Sequence, residues 1–568
     1  MTDEQAASRL DRRTLLGLGA AGAALGGLAG AGAARADDPQ IAHRGLAAKG
    51  PGIPVPTPLV QAPCGPIQGL VIEGVCHFKG IRYGLAPVGA RRWKPPEPVP
   101  AWSSRYDAAD FGAPAMQLAA GTVSQADNDF SFQMHQVFTT PSEMKVMNED
   151  CLFLNVWTPA PDARKRPVMV WIHGGGFAYG SGSQPIYQGD GLAKAQDVVV
   201  VSVNHRLNLF GYLYLGEAMG PDYAGSGTVG MQDLVLALKW VRDNIAAFGG
   251  DPDNVMIMGQ SGGGFKVSIL LAMESAKGLF HKAAIESGPG LKVGRKAAAG
   301  AYTDKLLAAL KIDKGDIAAL QAVPAETLLA AAEGLKGTGF GPSPILDDVA
   351  ITRDPFSPDA PSVSRDVPIL VGWCKDEWTI FTASEPWFGK MTEAQLQERI
   401  KPFGSPGQKL LAAIRAAFPT YSPTYLYVEL LSSRMMLGSE VLADAKAAQG
   451  GAPVFVYRMD WETPVSDGVF KAPHTMEIPF VLYSYDKVRT FVGEGPEPGR
   501  MAAQIGGAWA AFARTGRPDH PGLPHWPAYN DATRRVMVFN TASKVEDDPM
   551  ADLRETLQSM PQILSFGG

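Results

Sequence analysis

The sequence contains little cysteine, and its positive and negative charges are nearly balanced. The four cysteines, Cys64, Cys76, Cys151 and Cys374, are far apart, and none belongs to a Cys-x-x-Cys pair. This spacing argues against a zinc-binding cluster and against a disulfide scaffold. The net charge of −6 in 568 residues gives no electrostatic reason to expect nucleic acid as a partner.

The chain also lacks internal repeats and, after its first residues, long hydrophobic runs. No later segment has about 18 consecutive apolar residues, the length that a membrane-spanning helix needs, so we expect no stable membrane insertion. Hydrophobic residues make up 46% of the chain and charged residues 19%, which is typical of a globular protein with a large core.

The N-terminus carries a targeting pattern. Arg12-Arg13 precede a stretch rich in Gly, Ala and Leu, which ends in the small-x-small pattern Ala34-Arg35-Ala36. We therefore predict a twin-arginine signal peptide over residues 1–36, export by the Tat machinery, and a periplasmic or secreted protein. The alternative is a single membrane anchor, but the many Gly and Ala residues are poor material for a spanning helix.

Apolar runs rich in β-branched residues alternate with helical stretches along the rest of the chain. This alternation predicts an α/β fold with a large, mostly parallel central sheet and helices on both of its faces. The predicted strands are Leu152–Trp157, Val168–Ile172, Val198–Val203, Val255–Met258, Ala283–Glu286, Ile369–Trp373 and Val454–Arg458.

Three helical stretches are too long to be simple crossovers. They cover residues 296–334, 393–418 and 425–449, and we predict that they are insertions packed over the strand ends, where they would wall a pocket. Residues 37–60 contain several prolines without periodicity and predict a loose lead-in. Nothing marks a linker after them, so residues 61–568 are predicted to form a single domain.

Ser261 lies in the sequence Gly259-Gln260-Ser261-Gly262-Gly263. An apolar strand-like run precedes it, and the helix-like run 265–273 follows. A sharp strand-turn-helix junction of this kind exposes a serine hydroxyl at a helix N-terminus, as a nucleophile elbow requires. The alternative is an ordinary Gly-rich turn that happens to contain a serine.

A second glycine cluster, His173-Gly174-Gly175-Gly176-Phe177, follows another apolar run. Glycines let backbone N–H groups approach a substrate oxygen, so this cluster is suited to an oxyanion hole. The order of the two clusters, each placed after a strand, favours acyl-transfer chemistry at Ser261.

An activated serine needs a histidine base and a carboxylate that orients the histidine. His474 is the preferred base because it follows a predicted strand and lies after the serine, with His520 and His525 as weaker alternatives. The acid is predicted directly after the strand 369–373, where spacing alone leaves Asp376 and Glu377 open.

At this point several motifs, in a fixed order, resemble those of the type-B carboxylesterases, the α/β hydrolases that include cholinesterases and p-nitrobenzyl esterases. Besides the two glycine clusters, they are Phe78-Lys79-Gly80-Ile81-Arg82-Tyr83, Glu149-Asp150-Cys151-Leu152, Asn204-His205-Arg206, Phe248-Gly249-Gly250-Asp251-Pro252, Glu286-Ser287-Gly288 and Phe512-Ala513-Arg514-Thr515-Gly516. The resemblance extends from about residue 60 to the C-terminus and implies the α/β-hydrolase fold.

The resemblance also implies roles for individual residues. By position, Ser261 is the nucleophile, Glu377 the triad acid and His474 the base. The oxyanion donors are the backbone N–H groups of three glycines, Gly175, Gly176 and Gly262.

The sequence differs from the family pattern at four positions. Gln260 stands where many relatives have Glu, which argues against a cationic substrate. Gly262 replaces the usual Ala and predicts a slightly wider elbow. Thr475 replaces the usual Gly after the histidine. Cys151 matches a half-cystine whose partner position holds Met116, so the first disulfide of the family is not expected.

Together, these features predict a serine carboxylesterase that hydrolyses small-molecule esters through an acyl-enzyme. No metal or other cofactor is expected to be needed, and a monomer or weak dimer is expected. A lipase or transacylase that uses the same triad is the main alternative. A noncatalytic, cholinesterase-like binding protein is disfavoured because all three triad positions are filled.

Overall fold

The computed structural model describes residues 53–118 and 146–560. The predicted signal peptide over residues 1–36 lies outside the described residues. In the described part, the strands are β1 (Val55–Pro56), β2 (Val60–Ala62), β3 (Gly65–Gln68), β4 (Leu70–Ile72), β5 (Val75–Arg82), β6 (Tyr106–Asp107), β7 (Phe153–Thr158), β8 (Arg166–Ile172), β9 (Val199–Val203), β10 (Gly250–Gln260), β11 (Lys282–Glu286), β12 (Gly294–Arg295), β13 (Ile345–Leu346), β14 (Ile369–Cys374), β15 (Val454–Met459), β16 (Arg535–Phe539) and β17 (Lys544–Asp547).

The α-helices of the described part are α1 (Asp190–Gln196), α2 (Asn208–Tyr212), α3 (Gly216–Met219), α4 (Val229–Asn244), α5 (Gly262–Ala272), α6 (Lys296–Leu310), α7 (Ile317–Ala322), α8 (Ala325–Gly334), α9 (Thr379–Thr382), α10 (Glu393–Ile400), α11 (Gly404–Ala417), α12 (Pro423–Ala448), α13 (Ile478–Val481), α14 (Arg489–Val492), α15 (Glu497–Thr515) and α16 (Ala551–Gln558).

Twelve strands of the described residues form one sheet, in the order β1-β4-β5-β7-β9-β8-β10-β11-β14-β15-β16-β17. The strands from β9 to β16 in this order run parallel. The strands at both ends of the sheet pair antiparallel. All seven predicted strands are present, with ends shifted by a few residues, and the predicted mostly parallel α/β sheet is confirmed.

The central strands are apolar on both sides because helices cover both faces of the sheet. In β8, Val168 and Val170 face a core that contains side chains of α4, α5 and α12. Met169 and Trp171 face the opposite core, which contains side chains of α15. Alternate residues of one strand therefore enter two separate hydrophobic layers.

The helical stretches differ in how they pack. The helices α6, α7 and α8 share a core of their own with the residues that follow β9, and this core includes Leu306, Leu328 and Phe210. In contrast, α12 packs directly on β14 and β15. The prediction that residues 425–449 form an insertion was therefore wrong. They form the crossover between two parallel strands, and burial on several sides explains their apolar sequence.

Two further expectations concern the start of the domain and the cysteines. Val55 and Pro56 pair with β4 at the edge of the main sheet, so part of the predicted lead-in belongs to the sheet. All four cysteines are free, as expected for Cys151 in the absence of a cysteine at position 116. In the described residues, no helix combines the length and the apolar character needed to cross a membrane.

Candidate active site

Ser261 lies between the end of β10 and the start of α5. Its backbone has φ 58° and ψ −124°, a conformation that is strained for a residue with a side chain. The N–H of Ser261 donates to the carbonyl of Glu286 on the neighbouring strand β11 at 2.8 Å, and its carbonyl accepts from Phe265 at 3.0 Å. These two bonds hold the turn and leave the side chain at the carboxyl end of the sheet.

The turn depends on the absence of a side chain at position 263. A Cβ atom on Gly263 would lie 2.1 Å from the carbonyl oxygen of Ile172, the last residue of β8. Only glycine allows α5 to begin this close to the neighbouring strand. The sharp junction that the sequence predicted therefore has a steric cause.

The second glycine cluster lies directly against this elbow. Gly175 has φ 79° and Gly176 has φ 60°, which is the left-handed region that favours glycine. Within the described residues, the N–H groups of these two glycines have no hydrogen-bond acceptor. Free backbone donors beside a serine are the arrangement that an oxyanion hole needs.

Gly262 brings the two segments into contact. A Cβ atom at this position would lie 2.2 Å from the carbonyl oxygen and 2.5 Å from the Cα of Gly176. The expectation of a wider elbow was therefore wrong, because the backbone of the glycine loop occupies the space that an alanine methyl group would need.

His474 and Glu377 form a buried pair. The Nδ1 atom of His474 faces Oε2 of Glu377, and the other carboxylate oxygen accepts from the N–H of Cys374 at 2.8 Å. The exposed fraction of His474 is 4% and that of Glu377 is 0%. A carboxylate at Nδ1 fixes the imidazole tautomer and leaves Nε2 as the basic atom.

The alternatives for the acid and the base lie elsewhere. Asp376 points away from His474 and accepts from the hydroxyl of Tyr421 at 3.0 Å. His520 contacts the carbonyl of Gln504 at 2.8 Å, and His525 contacts a surface aspartate. The structure thus brings Glu377 to His474 and separates the other three residues from the site.

The Nε2 atom of His474 contacts Gln260 rather than the serine. The side-chain nitrogen of Gln260 lies 3.1 Å from Nε2, and because an amide nitrogen can only donate, Nε2 is the acceptor. Among the described residues, Ser261 Oγ makes no hydrogen bond. Gln260, which sequence comparison marked only as a missing charge, is therefore part of the site.

Two further carboxyl groups lie behind Glu377. Glu477 accepts from the Cys374 thiol at 3.0 Å, and Glu286 accepts from the indole N–H of Trp509 at 2.7 Å. Burial, together with the nearby charge of Glu377, raises the pKa of Glu477, and burial raises the pKa of Glu286 well above its ordinary value. The raised pKa values disfavour additional negative charge behind the histidine.

An apolar cavity of about 210 Å³ follows the glycine loop, and neither Ser261 nor His474 lines it. Ala178 and Tyr179 line it immediately after the loop, and Leu329 and Phe340 line it from the helical insertion. Near His474, the ring of Phe381 is 41% exposed and lies 5.2 Å from the imidazole. The Phe381 ring can contact the apolar part of an ester held near His474. Within the described residues, no cluster of His, Cys, Asp and Glu could hold a metal ion.

Sequence reasoning missed two residues near the site. Phe381 belongs to a short helix after Glu377, and nothing in its spacing marks it. Lys266 is the one charged residue in α5, whose sequence is otherwise Gly and apolar residues apart from one serine. A lone charge in such a helix is a signal that could have been used, because charged residues are rarely fully buried.

Comparison with known proteins identifies the family of the chain. A model of the carboxylesterase family matches residues 56–556. The chain belongs to this family. It is 34% identical to the para-nitrobenzyl esterase of Bacillus subtilis (strain 168) over 509 residues, which cover 88% of this chain and 98% of that esterase.

Solved carboxylesterase structures have the same fold. A carboxylesterase from Geobacillus stearothermophilus superposes with a TM-score of 0.76 at 40% identity, covering 88% of this chain and 99% of that one. An esterase from Clostridium hathewayi, described as able to hydrolyse aliphatic aromatic polyesters, gives a TM-score of 0.74 at 33% identity and covers 88% and 98%. The protein is therefore a carboxylic ester hydrolase with the α/β-hydrolase fold, as the sequence motifs predicted.

Proposed function

We propose that this carboxylesterase cleaves esters through Ser261, His474 and Glu377. His474 Nε2 takes the hydroxyl proton while Ser261 Oγ bonds to the ester carbonyl carbon. The tetrahedral intermediate collapses, and the alcohol leaves with the proton from Nε2. Water, deprotonated by the same nitrogen, then releases the acid and restores the Ser261 hydroxyl.

The observation that carries this proposal is the convergence of three chain segments. His474 is fixed by Glu377 on one side and reaches the elbow residue Gln260 on the other. Gly176 lies in contact with Gly262 next to Ser261. The N–H groups of Gly175, Gly176 and Gly262 are the proposed donors to the oxyanion, which is often the largest contribution to such catalysis.

Gln260 must give up its position at Nε2 for the reaction to begin. Its amide occupies the lone pair that accepts the serine proton, so the Ser261 hydroxyl replaces it when an ester enters. Hydrogen bonds in empty active sites often rearrange in this way when substrate binds.

The site favours neutral esters with an apolar group. Gln260 places no charge beside the serine, and the exposed ring of Phe381 lies 5.2 Å from the imidazole of His474. The named activity of the Clostridium hathewayi esterase towards aliphatic aromatic polyesters makes aromatic esters a second class to test.

The first experiment is hydrolysis of p-nitrophenyl esters from acetate to palmitate by the wild type and by Ser261→Ala. We expect activity that decreases with acyl length and is nearly abolished in the folded variant. Full activity of Ser261→Ala would overturn the proposal. Activation by emulsified long-chain esters would favour a lipase, and acyl transfer to added alcohol in excess of hydrolysis would favour a transacylase.

We also propose that residues 1–36 direct export through the Tat machinery to the periplasm or beyond. Support comes from the Arg12-Arg13 pair and from the Ala34-Arg35-Ala36 pattern. Replacing both arginines by lysine should retain the protein in the cytoplasmic fraction, with the uncleaved N-terminus still present. The oligomeric state, monomer or weak dimer, stays a prediction.

A further inference from the structure

Lys266 is a fully buried cation close to the proposed oxyanion hole. It lies in α5, the helix that begins immediately after Ser261, and its exposed fraction is 0%. Its ammonium donates to the carbonyl of His173 at 3.1 Å and lies 5.6 Å from the centre of the Phe177 ring. The proposed mechanism gives this side chain no role.

No counter-charge compensates Lys266 within the described residues. Burial lowers the pKa of its ammonium from 10.5 to about 7, without a carboxylate that would oppose this shift. The titratable groups that face it are His173 and His205, whose rings stack 4.8 Å apart. Burial and the charge of Lys266 lower the pKa of both imidazoles, so both are neutral.

A second buried lysine shows how such a group is usually accommodated. Lys446, at the end of α12, donates to the carbonyls of Ser364 and Arg365 and to the side chain of Gln449. In the part of the chain that the structure describes, Lys266 has a single acceptor. Because an unpaired buried ammonium destabilises the fold, the position of Lys266 calls for a functional reason.

The acceptor of Lys266 is informative. The carbonyl of His173 belongs to the peptide that leads into Gly174, Gly175 and Gly176. The third proposed donor, Gly262, begins the helix that carries Lys266. The two halves of the oxyanion hole come from different segments of the chain, and the ammonium of Lys266 links them through one hydrogen bond.

The positive charge of Lys266 is also suited to stabilise a negative charge in the oxyanion hole. The N-terminus of α5 already carries positive partial charge from its free N–H groups. A second positive charge nearby is unfavourable in the resting enzyme and becomes favourable when the substrate oxygen acquires negative charge. Such a charge binds the transition state more strongly than the substrate.

We infer that Lys266 is a positioning residue of the oxyanion hole. Its ammonium joins the glycine loop to α5 and supplies positive potential for the tetrahedral intermediate. This inference rests on the proposed function, because it needs Ser261 as the nucleophile.

The test compares Lys266→Met with the control Lys446→Met, each with circular dichroism to verify folding. The readouts are kcat and KM for p-nitrophenyl acetate and the inhibition constant of a trifluoromethyl ketone, whose adduct with Ser261 carries an oxyanion. For Lys266→Met we expect a decrease in kcat of about 10- to 100-fold, a similar increase in the inhibition constant, and a KM within about threefold of wild type. Lys446→Met should match the wild type in all three.

A third variant, Lys266→Gln, separates the two contributions of the lysine. The glutamine amide carries no charge but can still donate to the carbonyl of His173. If kcat of Lys266→Gln lies between those of the wild type and Lys266→Met, the difference between Lys266→Gln and the wild type is due to the positive charge. Wild-type kcat and inhibition constant in Lys266→Met would overturn the inference and leave the triad standing. Full activity of Ser261→Ala would instead overturn the proposed function.

If the Lys266 variants do not fold, the inference can be tested on the wild type through the pH dependence of inhibition. Lys266 loses its proton as the pH rises through about 7. The affinity for the ketone should therefore decrease between about pH 7 and pH 9, in step with the deprotonation of Lys266 followed by NMR of labelled lysine. An affinity that stays constant while Lys266 loses its proton overturns the inference.

Discussion

His474 and Glu377 are held together at two points. The imidazole Nδ1 faces the carboxylate, and the backbone N–H of His474 donates to the backbone carbonyl of Glu377 at 3.3 Å. The loop after β15 is thereby fastened to the loop after β14. The orientation of the imidazole relative to Ser261 follows from the backbone as well as from the side chains.

Glu377→Gln should lower kcat by about three to four orders of magnitude with little loss of stability. The amide keeps the shape of the carboxylate but can donate to Nδ1, which favours the tautomer that carries a proton on Nε2 and cannot act as a base. The measurement is kcat for p-nitrophenyl acetate together with the melting temperature.

Glu440→Gln is the matched control for this variant. Burial raises the pKa of Glu440 to about 8, so its side chain is already neutral at pH 7, and it lies in α12 away from His474. This control should keep wild-type activity. A decrease of less than tenfold in Glu377→Gln would contradict the proposed role of Glu377.

Gly262→Ala should lower kcat/KM by about 100-fold, although alanine is the usual residue of relatives at this position. The new methyl group would overlap the backbone of Gly176 and push the glycine loop away from Ser261, which weakens the donors to the oxyanion. Gly334→Ala is the control, because a Cβ atom there would have no neighbour within 4 Å. Unchanged activity of Gly262→Ala would mean that the loop adjusts without cost.

The sheet and the elbow could be predicted from sequence because their signals are local. Apolar runs located the seven central strands, and the glycines around Ser261 indicated the turn that the structure contains. The position of α12 could not be predicted in this way. A long helix has the same sequence pattern whether it covers the sheet or forms an insertion beyond it. Only the contacts of α12 with β14 and β15 show that it covers the sheet.

Contacts in the site between residues that are far apart in the sequence could not be predicted. The contact of Gln260 with His474 joins positions 214 residues apart. The crowding of Gly262 against Gly176 depends on how two loops approach each other. Sequence spacing does not determine such contacts. The sequence therefore identified the site residues but not the contacts between them.

Thr475→Gly should raise the free energy of unfolding by about 1 kcal/mol. Thr475 has φ 79°, a region that β-branched residues rarely occupy, and its buried hydroxyl has no partner among the described residues. Glycine removes both the backbone strain and the unpaired hydroxyl. Part of this stabilisation is lost because glycine gives the unfolded chain more conformational freedom. The measurement is the melting temperature or the urea midpoint.

Thr475→Ala separates the two contributions, since it removes the hydroxyl and keeps the strained φ. We expect the stability to increase from the wild type to Thr475→Ala and further to Thr475→Gly. A lower melting temperature for Thr475→Gly would show that the side chain, despite its strain, stabilises the loop that carries His474.

Lys266→Met should change stability in a way that depends on pH. Burial lowers the pKa of Lys266 from 10.5 to about 7. Below pH 7 both the folded and the unfolded protein carry the proton, so the wild type bears the full cost of the buried charge. Between pH 7 and 10.5 the unfolded chain keeps a proton that the folded protein has lost, and the wild type gains stability as the pH rises.

The stability of Lys266→Met relative to the wild type should therefore be highest below pH 7 and decrease towards pH 10. Urea unfolding at intervals from pH 6 to pH 10 measures this difference. Lys446→Met is the internal reference: the pKa of Lys446 is lowered only to about 8, so its decrease should begin about one pH unit higher. A difference that stays constant from pH 6 to pH 10 would mean that Lys266 keeps its ordinary pKa, and that its ammonium is compensated in the folded protein.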